Sequence, residues 1–87
     1  MPALEVLSYG VSWPINDTLI RALPSGGGRL FVSGPAASID LSNDVTMANA
    51  KNVVAATGLA FSPEGAPVSA AFIRVNGGAA IVKVTKA

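Results

Sequence analysis

The chain contains neither cysteine nor histidine. Disulfides are thereby excluded, as are the thiol nucleophile and the imidazole that most often serves as general base. The usual ligands of zinc and copper go with them. Charge is scarce as well. Asp, Glu, Lys and Arg make up 13% of the residues, against about 25% in an average soluble domain. Six basic and five acidic residues leave a net charge of +1, which gives no basic footprint for DNA or RNA. No apolar run approaches the ~20 residues of a membrane-spanning helix. The opening Met1-Pro2-Ala3-Leu4-Glu5 lacks the basic-then-apolar layout of a signal peptide. These absences lead us to expect no enzyme activity, no cofactor, no metal, no nucleic-acid partner and no membrane span. The missing cysteine fits a reducing compartment, and equally an extracellular particle that avoids redox chemistry.

The residues that remain offer little chemistry. The acids Glu5, Asp17, Asp40, Asp44 and Glu64 are scattered along the chain. Asp40 and Asp44 are the nearest pair. A paired-carboxylate site, or a calcium site with Asn43, competes there with plain solvation of a turn, and the turn is the better reading. Gly26-Gly27-Gly28 is followed by Arg29-Leu30-Phe31 rather than by the Lys-Ser/Thr and helix of a phosphate loop. It reads as a flexible turn. The aromatics are Tyr9, Trp13, Phe31, Phe61 and Phe72. With so few bases between them they suit packing better than stacking on a nucleic acid.

Apolar residues are what the chain has in quantity, at 51% of 87 residues. The length suits one domain spanning 1–87. A domain of this size buries only about 60% of its unfolded surface. Small folds of this kind are commonly completed by a disulfide, a metal or an oligomer. Here the oligomer, or docking onto a larger partner, is the staple still available.

Glycine and proline cut the chain into short pieces rich in Val, Ile, Ala, Thr and Phe, a strand pattern. Ala3–Tyr9 reads as a strand with Leu4, Val6 and Ser8 on one face. Val11–Ile15 carries Trp13-Pro14, and its proline assigns it to an edge or a loop. Thr18–Leu23 follows, with Arg21 between Leu19 and Leu23. Arg29–Ser33 is a strand closed by Gly34-Pro35. Ser38–Ser42 alternates, with Ile39 and Leu41 inward. Met47–Ala56 leaves a short helical turn open as an alternative, although its asparagines and Val53-Val54 argue against one. Glu64–Pro67 reads as a loop. Ser69–Val75 and Ala80–Thr85 flank Asn76-Gly77-Gly78, which predicts a tight hairpin. Lys83 and Lys86 are placed to discourage stray edge pairing. The expected fold is all-β: a small antiparallel β-sandwich or barrel of about six to eight short strands. Residues 28–87 would form its core, and 1–27 a docking arm plus edge strands. Leu4, Val6, Tyr9, Trp13 and Arg74 are the candidate interface residues. Arg74, between Ile73 and Val75, points to the opposite face, toward an acid such as Asp40 or toward a partner.

Four stretches carry a resemblance: Arg29–Gly34, Ser38–Asp44, Ala71–Val75 and Gly77–Val84. In this order they resemble small β-sandwich phage virion proteins, the capsid decoration (cement) and accessory structural proteins. The likeness spans Gly28 to Ala87. It departs from their pattern at Val45, where such proteins carry a glycine after Asn-Asp. The resemblance implies a virion location after assembly in the host cytoplasm. It implies binding to the major capsid protein or other virion proteins, and a homo-oligomer, commonly a trimer. It supplies no catalytic residue. A carbohydrate- or receptor-binding module using Tyr9, Trp13 and Asn43-Asp44 is the alternative, with a tail or neck accessory protein behind it.

Overall fold

The structure is a computed structural model, described for residues 4–34, 38–54, 56–62 and 68–86. Eight strands run in chain order: β1 Ser12–Ile15, β2 Arg21–Ala22, β3 Gly28–Ser33, β4 Ser38–Ser42, β5 Lys51–Val53, β6 Ala56–Phe61, β7 Phe72–Asn76 and β8 Ala80–Thr85. They form two antiparallel four-stranded sheets, β1-β8-β3-β6 (sheet 1) and β2-β7-β4-β5 (sheet 2). This is the β-sandwich read from the sequence. Among the described residues no helix is long and apolar enough to cross a membrane.

The period-2 pattern decides which face of each strand is buried. In sheet 1, Ile15, Leu30, Phe61, Ala80, Val82 and Val84 turn inward; in sheet 2, Ile39, Leu41, Ile73 and Val75 do. Leu7, Leu23, Val68 and Ala70, from the connecting segments, join the same core.

Connectivity is the feature the sequence hides. Every consecutive pair of strands except β4–β5 lies on opposite sheets. The Asn76-Gly77-Gly78 turn is therefore not a hairpin. β7 pairs with β2 and β4, β8 with β1 and β3, and the turn carries the chain across the sandwich. A type I′ hairpin needs positive φ at both central residues. Gly77 and Gly78 have it (φ 79° and 132°), but Asn76 does not. The closing hairpin of the virion-protein resemblance is likewise missing. Lys83 is corrected with it, because β8 is a central strand and Lys83 sits on its exposed outer face. The helical alternative fails as well. Met47 and Asn49 take positive φ (61° and 55°) in the β4–β5 connection, which breaks any helix.

The proline of Trp13-Pro14 does lie on an edge strand. The alternation that turns Ile39 and Leu41 inward puts Ser42 outward, but Ser42 is buried. Its hydroxyl donates to the Ala48 carbonyl at 2.7 Å and accepts from the Asp44 N–H at 3.0 Å, holding the β4–β5 turn. The predicted loop Glu64–Pro67, and the residues Ala3, Pro35 and Ala55 of other predicted pieces, lie outside the described residues.

Candidate interaction surfaces

The sequence reads Ala3–Tyr9 as a strand, but among its described residues pairing is confined to two isolated bridges, Val6 with Ala22 and Tyr9 with Val84. The Ala22 N–H donates to the Glu5 carbonyl at 2.8 Å, the Leu7 N–H to the Ala22 carbonyl at 2.9 Å and the Gly10 N–H to the Val84 carbonyl at 2.8 Å. The segment thus bonds to the edge of sheet 2, then to sheet 1. Its alternation survives the irregularity. Leu7 is 1% exposed, whereas Leu4 and Val6 face outward.

The five candidate interface residues do not gather on one surface. Leu4 and Arg74 line a cleft of about 480 Å³ with Leu19, Ile20 and Arg21. Val6 and Tyr9 line a second groove with Pro24, Gly26 and Lys86. Trp13 belongs to neither. It packs half-buried against the core, and its buried Nε1 has no hydrogen-bond partner among the described residues. Asn43 and Asp44 line a further cleft with Ala48 and Lys51.

Tyr9 explains the triple glycine. Its hydroxyl donates to the Gly27 carbonyl, and Lys86 Nζ lies 5.7 Å from its ring centroid. Gly27 and Gly28 are buried, not loose. A Cβ on Gly28 (φ +155°) would stand 2.1 Å from the Thr85 carbonyl oxygen and 3.3 Å from the Tyr9 ring. The expected flexible turn is a packed crossing where only glycine fits.

Electrostatics divide the two sheets. Sheet 2 and its flank hold every described acid, and three of the four, Glu5, Asp17 and Asp40, pair with arginine. Arg21, 8% exposed, donates to Asp17 through Nη1 at 2.5 Å and Nη2 at 3.2 Å, with Glu5 at 3.7 Å. The Arg21 hydrogen bond holds the Asp17 carboxyl below its ordinary value of 3.8, helped by the Leu19 N–H, and Arg21 is raised in turn. Asp40 stands opposite Arg74 in the β4–β7 register and meets its Nη2 at 2.8 Å, the partnership read from the sequence. Burial pushes Asp40 up, but hydrogen bonds from Asn52, Arg74 and Asn76 outweigh it and leave it lowered. Asp44 accepts from the Thr46 hydroxyl and N–H, which lower it too. Asp40 and Asp44 are thus engaged separately. Among the described residues no three acidic groups converge into a metal site.

Sheet 1 is the opposite case. None of its four strands carries an acid. Its outer face presents Arg29 and Lys83, with Pro14, Phe31 and Ile81 exposed between serines and threonines. Phe31 is 38% exposed and Ile81 47%. Ile81 borders both shallow clefts of this face, one toward Pro14, Asn16 and Ala79, the other toward Phe31 and Lys83. Sequence reasoning missed this face. Its signal was the acid-free composition of Ser12–Ile15, Gly28–Ser33, Ala56–Phe61 and Ala80–Thr85, visible only once those pieces are known to share a sheet.

No protein-family model matches the chain, and no curated protein and no solved structure matches it.

Proposed function

We propose that this chain is a non-catalytic structural module that docks in many copies onto a larger protein assembly, through the outer face of sheet 1. The observation that carries the reading is the segregation on that face: exposed Phe31, Ile81 and Pro14 beside Arg29 and Lys83, with no acid on any strand of the sheet. Apolar area supplies the contact, and cations that pair with no acid among the described residues choose a partner surface bearing carboxylates. Small per-copy contacts become effective when a lattice presents the complementary surface repeatedly. The assembly in question is a phage capsid lattice, with the protein as a decoration or cement component. This rests on the resemblance of Gly28–Ala87, less its closing hairpin.

Co-sedimentation with emptied or expanded phage capsids, followed by their heat resistance, tests the reading. The chain is expected to bind and to raise that resistance, and Ile81→Asp and Lys83→Glu to abolish binding while leaving the fold intact. Wild-type protein that neither sediments with capsids nor protects them removes the capsid assignment. Binding unaffected by both substitutions removes the sheet 1 face.

A further inference from the structure

A β-sandwich of two open sheets has four edge strands, and each exposes unpaired N–H and C=O groups that invite another strand. Three of the four are guarded here. β1 is short and carries Pro14, which has no N–H to offer. β2 is bonded along its outer edge by Glu5 and Leu7. β5 has three residues and begins with Lys51. The fourth, β6, has six residues, Ala-Thr-Gly-Leu-Ala-Phe, with no charge and no proline. Its one irregularity is the bulge at Gly58, where Leu30 faces Leu59 and Phe31 faces Thr57.

The direction of its backbone groups follows from a neighbour. Ser62, just past the strand, donates its N–H to the Val68 carbonyl at 2.9 Å and accepts from the Ala70 N–H at 3.0 Å, away from β3. Groups two residues apart on a strand point the same way. The Ala60 N–H and carbonyl therefore also face outward. Among the described residues nothing bonds to them. The corner leading into this edge holds Val54, at 77% exposure the most exposed large apolar side chain described.

We propose that two copies of the chain pair their β6 edges antiparallel about a two-fold axis, joining two copies of sheet 1 into one eight-stranded sheet. Charge selects this contact over the alternatives. A two-fold contact sets a surface against itself. The outer face of sheet 1 would bring Arg29 and Lys83 against their own copies, whereas β6 brings no charge against itself. Such pairing leaves that outer face free, so it neither needs nor excludes docking onto an assembly. It takes a two-fold contact where the resemblance implies a trimer.

Sedimentation equilibrium across a concentration series is the test. The mass is expected to rise from 8.7 kDa toward twice that value. Ala60→Pro removes an outward N–H without touching the ladder to β3, and is expected to stay monomeric with an unchanged circular dichroism spectrum. Exposed Thr57 supplies a second route should that variant fail to fold. Thr57→Lys and Thr57→Glu alone are each expected to weaken pairing several-fold, and their mixture to restore it as a heterodimer. A wild-type mass fixed at one chain, a mass of three chains, a folded Ala60→Pro dimer, or charge variants that pair as well alone as mixed would each overturn the proposal.

Discussion

On the β1/β2 side of the sandwich, residues 5–10 hydrogen-bond first to β2 and then to β8, and Leu7 joins the core between them. Arg21 lies on the same side, gripped by Asp17 and Glu5. On the β5/β6 side, Val54 stands exposed at the corner between the two strands and the outer edge of Ala60 is unbonded among the described residues. One side is laced by chain and charge; on the other, among the described residues, only Ser62 at the end of β6 is bonded from outside, by Val68 and Ala70. In this small core with no disulfide, closure on one side comes from residues 5–10, which reach both sheets. On the side that segment does not reach, the proposed β6 pairing finds its edge.

Leu7→Ala tests the laced side most severely. Truncating a side chain 1% exposed is expected to cost about 2–5 kcal/mol in urea or thermal unfolding. A cost near zero would make residues 4–10 an appendage. Arg21→Met comes next. It keeps the apolar stem but leaves the exposed Asp17 and Glu5 without their cation, and is expected to destabilise the fold less than Leu7→Ala does. Acid titration sharpens the comparison. Asp17, Asp40 and Asp44 are all lowered in the folded chain, so their contribution is complete well above the ordinary value of 3.8. It begins to fall as the unfolded chain takes up protons near that pH, and is gone once pH drops below the lowered values. Unfolding monitored from pH 7 to 2 is expected to show a plateau at neutral pH and a fall below about pH 4. Asp40→Asn is expected to make the fall shallower. The smallest effect belongs to the open side: Val54→Ser is expected to shift stability by no more than about 0.5 kcal/mol.

The sequence carried the elements better than their arrangement. Ser38–Ser42 was legible as a strand because Ile39 and Leu41 alternate with polar neighbours; Ser42 alone breaks that alternation, since it is buried to hold the β4–β5 turn. Arg74 and Asp40 were legible as partners because both interrupt apolar strands on the outward parity. Asn76-Gly77-Gly78 misled because its local chemistry suits a hairpin, while the choice between turning within a sheet and crossing to the other is made by the core. Gly26–Gly28 misled in the same way. Glycine signals freedom in the unfolded chain, but here it answers to the close approach of Tyr9 and Thr85, residues distant in sequence. The sheet 1 face was illegible for a related reason, since its four strands are scattered from Ser12 to Thr85.

Native-state hydrogen exchange at single amides, in protein dilute enough to be monomeric, tests the difference between the two sides most directly. The amides of Leu7, Gly10 and Ala22 are expected to exchange only with global unfolding, like that of Val82, while the Ala60 amide exchanges near the rate of a free peptide. Leu7 and Gly10 exchanging freely while Val82 stays protected, or Ala60 protected in the monomer, would contradict that expectation.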